Sequence, residues 1–126
     1  MKALFISLLL VLIACSTPQY LHKQVHDGIE IAYFWKHADN GPSELILRMD
    51  NVSQEDRSVA LVIDLYLQGK TAETLQADTC IRAGQTLNGK LNGIYFVPAV
   101  VSTQQIKNGE VTVEMTRTLV EPQPCK

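Results

Sequence analysis

The chain carries no cluster of positive charge. Its 11 Lys and Arg residues stand against 13 Asp and Glu, a net charge of −2, and Lys23, Lys36, Arg48, Arg57, Lys70, Arg82, Lys90, Lys107, Arg117 and Lys126 are scattered singly. That spacing offers no track for a phosphate backbone and excludes a nucleic-acid partner. No apolar run reaches the ~20 residues a membrane-spanning helix needs. The longest, Ala3 to Ala14, is cut off by Ser16-Thr17-Pro18-Gln19.

Chemistry-bearing residues are equally sparse. The three histidines, His22, His26 and His37, lie at no metal-ligand spacing from a Cys, so a zinc site is not expected. His22 and His26 are four apart, but Pro18 and Gly28 bracket them and no acidic or Cys ligand falls at matching spacing. No Ser or Cys combines with a His and an acid in a nucleophile turn; Ser43 and Glu44 follow His37, yet the turn around Ser43 has no such character. Glu55-Asp56 falls in a polar loop, and Glu110 and Glu114 share the wet face of a strand, so paired-carboxylate chemistry has no support. Gly84-Gln85-Thr86-Leu87-Asn88-Gly89-Lys90 matches seven positions of a phosphate-binding loop. The eighth, which must be Ser or Thr, is Leu91, and Asn92-Gly93-Ile94-Tyr95-Phe96 reads as a turn into a strand, not the helix that phosphates require. The expectation is a non-enzyme without cofactor or metal.

What is present begins with an address. Met1-Lys2 supplies one positive charge, and Ala3 to Ile13 follows without any, as in the n-region and h-region of a signal peptide. At its end, Leu12-Ile13-Ala14-Cys15 resembles the lipobox of bacterial lipoproteins. The resemblance implies cleavage after Ala14 and acylation of Cys15, and two or more acyl chains give stable membrane attachment where one is marginal. It implies residues 1–14 as signal peptide, 15–28 as a lipidated tether and 29–126 as the folded domain. Ser16 in place of Asp resembles the pattern sent to the outer membrane, facing the periplasm. In an exported chain the remaining cysteines, Cys80 and Cys125, most simply form one disulfide; two free thiols are the alternative. The bridge would staple the polar tail Glu121-Pro122-Gln123-Pro124-Cys125-Lys126.

From Gly28 onward the hydropathy period is two. Ile29, Ile31, Tyr33 and Trp35 alternate with Glu30, Ala32, Phe34 and Lys36; Asp39-Asn40-Gly41-Pro42 breaks the run; Leu45, Leu47 and Met49 resume it. Val59 to Leu67 is the longest apolar stretch and reads as a central strand buried on both faces at one end. Thr71 to Gln76 reads as a short edge strand or a helical turn, and 78–82 as a separate short strand. Tyr95-Phe96-Val97 with Val100-Val101 reads as a strand broken by Pro98, and Asn108-Gly109 as a hairpin turn before alternating Val111, Val113 and Met115. No amphipathic helix stands out. The sum predicts an all-β, immunoglobulin-like antiparallel sandwich of about seven strands, with Tyr33, Phe34, Trp35, Leu61, Ile63, Leu65 and Met115 in its core.

Residues 45–86 carry a further resemblance. Leu45 to Asn51, a polar loop, Val59 to Leu67 with Asp64-Leu65-Tyr66, Gly69, and Ala83-Gly84-Gln85-Thr86 resemble bacterial envelope domains of the FxLYD type; Leu67 stands where that pattern has Asp, and Ala83 where it has Pro. The order also resembles small lipoproteins of Bacteroidetes-type bacteria. Neither implies a reaction; the leading expectation is an anchored accessory domain that engages another envelope protein by strand addition along an exposed edge, near Thr71 to Gln76 or the Pro98 break. Binding of a small molecule or glycan is one alternative. Inhibition of an envelope hydrolase through the loop Asp50 to Arg57 is another.

Overall fold

The computed structural model of the chain describes residues 22–126. The chain folds as an antiparallel β-sandwich. Strands β1 (His22–His26), β2 (Ile29–Lys36) and β3 (Glu44–Asn51) form a meander; β4 (Arg57–Leu67) and β5 (Lys70–Ile81) form a hairpin in the second sheet. The chain then returns to β3 as two short pieces, β6 (Thr86–Asn88) and β7 (Tyr95–Phe96), passes through a five-residue helix α1 (Thr103–Lys107), and closes on β4 as β8 (Val111–Pro122). One sheet runs β1-β2-β3-β6 with β7 also on β3, the other β5-β4-β8. The expected all-β sandwich is what forms, with eight strands among the described residues because the return to β3 is split in two.

Period-two patterning explains the layers. Ile29, Ile31 and Tyr33 of β2 and Leu45, Leu47 and Met49 of β3 face Val59, Leu61, Ile63 and Leu65 of β4 across a dry interior. β4 is central, as expected, but only its inward face is fully buried; Ala60 and Val62 on the outer face are half-exposed, because among the described residues no second layer covers that sheet. Met115, Trp35, Val111 and Val113 pack at the margin of the core, while Phe34 lies half-buried on the opposite face of β2.

Four local expectations are corrected. Residues 22–26, expected as tether, pair with β2 as β1, because Asp27 and Gly28 both adopt positive φ (45° and 78°) and make a tight two-residue hairpin. A side chain at Gly28 would also meet Ser53 Cβ at 2.9 Å. Residues 70–81 form one continuous edge strand, since pairing with β4 holds even where apolar alternation lapses. Val97 to Val101 is not strand. Asn108-Gly109 ends a helix and not a hairpin: the amides of Gly109 and Glu110 reach back to Ile106 and Gln105 carbonyls at 3.1 and 3.0 Å. Residues 1–14 and Cys15, with their signal and lipid expectations, lie outside the described residues.

Two ends result. The lower end gathers the Asp27-Gly28 turn, residues 51–57, the 82–85 turn and the C-terminal tail; the upper end gathers the 37–43 connection, the Gln68-Gly69 turn and residues 89–110.

Candidate functional site

At the upper end an open cleft of about 510 Å³ lies between the last residues of β2, α1 and the start of β8. Tyr33, Phe34 and Trp35 supply aromatic surface, Ile106 and Val111 aliphatic surface, and His37 and Lys107 polar groups. Its volume falls in the range of small-ligand sites. Tyr33 is buried, donates its hydroxyl to the Val113 carbonyl at 3.3 Å and has its pKa raised by that burial. α1 is set by a capping box: Ser102 Oγ accepts from Gln105 N at 3.1 Å while Gln105 Oε1 accepts from Ser102 N at 2.9 Å. Ile106 is its buried anchor.

The structure brings His37 and Ser43 together, with Nδ1 2.7 Å from Oγ. Ser43 is 1% exposed and its amide donates to Thr103 Oγ1 at 3.2 Å. A hydroxyl so enclosed is out of reach of a substrate carbonyl, and among the described residues no carboxylate pairs with His37. The pair therefore ties the 37–43 connection to α1.

On the outer face of the first sheet, Ile46 is buried although it points away from the core. Phe34 and Tyr95 flank it in the same row, and Gly89 lies directly on its Cγ2, where any side chain would collide. Lys90 crosses this shelf, 5.3 Å from the Tyr95 ring centroid and 2.8 Å from Glu44, which holds its pKa above the ordinary lysine value. The near-match to a phosphate loop thus becomes β6 and a single 3-10 turn, Lys90–Asn92, against a sheet face.

In the second sheet, β5 is an edge. Twelve residues long, it pairs with β4 on one side and with no strand on the other among the described residues. Near its start Glu73 accepts the amides of Ala99 and Val100 at 2.8 and 3.1 Å.

The lower end is a polar knot. Asn51, fully buried, donates to the Glu55 and Ile81 carbonyls at 2.8 and 2.9 Å and accepts from Ser53 N and Oγ at 3.0 and 2.6 Å. Arg57 Nε reaches Ser53 Oγ at 2.9 Å. Asp56 accepts the amides of Ala83 and Cys125, each at 3.0 Å, and these bonds hold its carboxyl below the ordinary range, with Arg82 adding to the effect. Cys80 and Cys125 stand at disulfide distance, with Cα atoms 5.6 Å apart, closing a loop 45 residues in sequence separation. A loop of that length constrains the unfolded chain by about 4 kcal/mol on the entropy model. The cysteine pair was legible in the sequence; Asn51 and Asp56 were not, because their partners include Ile81 of β5, Ala83 and Cys125, all distant in sequence.

Among the described residues no group of three or more His, Cys, Asp or Glu is placed to hold a metal ion, and no helix is long and apolar enough to cross a membrane. No family model matches the chain, and neither a curated protein nor a solved structure shows significant similarity to it.

Proposed function

We propose that this is a non-catalytic, lipid-anchored envelope lipoprotein whose domain works by engaging another envelope protein. The resemblance of residues 12–15 to a lipobox and of 45–86 to FxLYD-type domains belongs to the same proposal, as does an outer-membrane position facing the periplasm. The observation that carries the interaction reading is the 12-residue β5 edge, with no strand beside it among the described residues. An extended segment of a partner adds there by main-chain hydrogen bonds, with side-chain pockets supplying selectivity. Crosslinking in the native envelope, followed by mapping of the attached peptides, tests it. A single dominant protein neighbour joined near Lys70 supports the reading, and the absence of any reproducible protein neighbour rejects it.

The upper cleft favours a second reading, a small-molecule or glycan site, since aromatic faces beside a few polar groups are what a sugar ring stacks on. A ligand that binds the folded state raises its melting temperature. A thermal-shift screen of envelope glycans should give a rise that is lost in Trp35→Ala if this reading holds, and no rise with any compound if it does not.

A further inference from the structure

We infer that the upper end of the sandwich is a lipid-contact surface, on which the domain lies against the bilayer that anchors it; the inference rests on the anchored reading above. Of the large apolar side chains exposed among the described residues, four fall within ten residues: Leu91 (85% exposed), Tyr95, Val97 and Val100 (67%). They lie on one flank of the upper half. Tyr95 is in the row of Ile46 and Phe34, Val97 follows the row of Leu45 and Trp35, and Val100 is fixed beside Glu73, opposite Leu65 near the top of β4. Leu91 projects from the 3-10 turn next to Gly89, whose amide is held by the Leu47 carbonyl at 2.8 Å, so a built turn presents it.

The length of chain ahead of the domain selects the occupant. Six residues separate Cys15 from His22, and the span from one to the other is at most ~25 Å fully extended. β1 runs from His22, opposite Tyr33, down to the Asp27-Gly28 turn, so the tether joins the sandwich at the end of β1 nearer the upper rim. From the Tyr33 row the upper rim at Lys36 is three residues away, ~10 Å. The lower rim at Ile29 is four residues from the same row, ~13 Å, so the upper rim is the nearer of the two. A tether this short keeps the domain against the bilayer, and the exposed Leu, Val and Tyr side chains of the upper end suit the interfacial layer.

The contact is apolar in kind. Lys36, Lys70, Lys90 and Lys107 at this end are matched by Asp39, Glu44, Glu73 and Glu110, with Lys90 already paired to Glu44 and Glu73 occupied by two amides. Ionic attraction to anionic headgroups is therefore weak, and added salt should leave the contact in place.

The test uses the full-length chain in its own membranes, with a photo-crosslinking residue placed at Leu91, at Val100 or, as a control, at Val52, which is 57% exposed at the lower end. Irradiation should yield phospholipid adducts at Leu91 and Val100, at least tenfold above Val52, and unchanged in yield in 1 M salt. Comparable lipid adducts at Val52, or protein adducts replacing lipid at Leu91, would overturn the inference. The mass of the Cys15 peptide is read from the same sample. An acylated chain without lipid adducts at Leu91 removes the surface contact alone; a chain without acyl groups removes the anchored reading and this inference with it.

Discussion

At the lower end, a buried Asn51 and a charge-assisted Asp56, together with the cysteine pair, tie together three segments that are far apart in sequence, 51–56, 80–83 and the tail at Cys125. At the upper end, the Ser43 bonds to His37 and Thr103 are part-buried, while those of Glu73 to two amides, of the Ser102–Gln105 cap, and of Lys107 Nζ to the Ala38 carbonyl at 3.3 Å are exposed. The cleft, the exposed apolar run and the short helix all sit at the end away from the cysteine pair and the fully buried Asn51. Local opening is governed by how much buried contact must be given up, so the lower end acts as the fixed frame and the upper end as the adaptable surface.

Three changes probe that contrast. The largest effect belongs to Asn51→Ala. Removing the side chain strands the Ile81 carbonyl and leaves a void at a fully buried position, for an expected loss on the order of 3 kcal/mol. Urea unfolding should show a lower midpoint with unchanged slope, and a loss under 1 kcal/mol would mean that the knot is not what holds the lower end.

Ser102→Ala removes the cap of α1 and half of a reciprocal pair at the adaptable end, where about 1 kcal/mol is expected. Hydrogen exchange should quicken at Ile106 and Asn108 and stay unchanged at Ile81. Equal quickening at both ends would erase the distinction between them.

The smallest effect is a pH dependence at Asp56. Its folded pKa is depressed by the amides of Cys125 and Ala83. The stabilisation is therefore complete above the unfolded carboxylate pKa, near 4, and is lost as pH falls through the lower folded value. In Asp56→Asn that acid-side decline should flatten, with a small matching fall in melting temperature at neutral pH, where the carboxylate's advantage is fully present. An unchanged acid profile would show that other carboxylates carry the decline.

How much of this was legible depended on whether a local pattern or a distant partner decides each element. β4 was visible because β-branched Val59, Val62 and Ile63 sit in a long apolar run before Gln68-Gly69. β1 was not, because Gln24 and His26, the residues aligned with its inner face, are polar, and Gln24 donates to Thr118 Oγ1 at 3.3 Å, 94 residues away. The dipeptide Asp27-Gly28 was the available signal. α1 is too short to display a 3.6-residue period, yet Ser102 and Gln105 spell a capping box. Asn108-Gly109 misled because a glycine at φ 74° serves a helix end as well as a hairpin. The cleft had no signature at all, since Trp35, Lys107 and Val111 meet only once both sheets and the helix are in place.

The cysteine pair has a consequence beyond stability. The covalent ring it closes runs from Cys80 to Cys125 and contains Leu91, Val97, Val100 and all of α1. A protease cutting the exposed 97–100 run would open the backbone without releasing a fragment, because both pieces remain joined through sulfur. In an oxidising compartment the nicked molecule gains only the mass of one water, and its two pieces come apart only when a reductant is added.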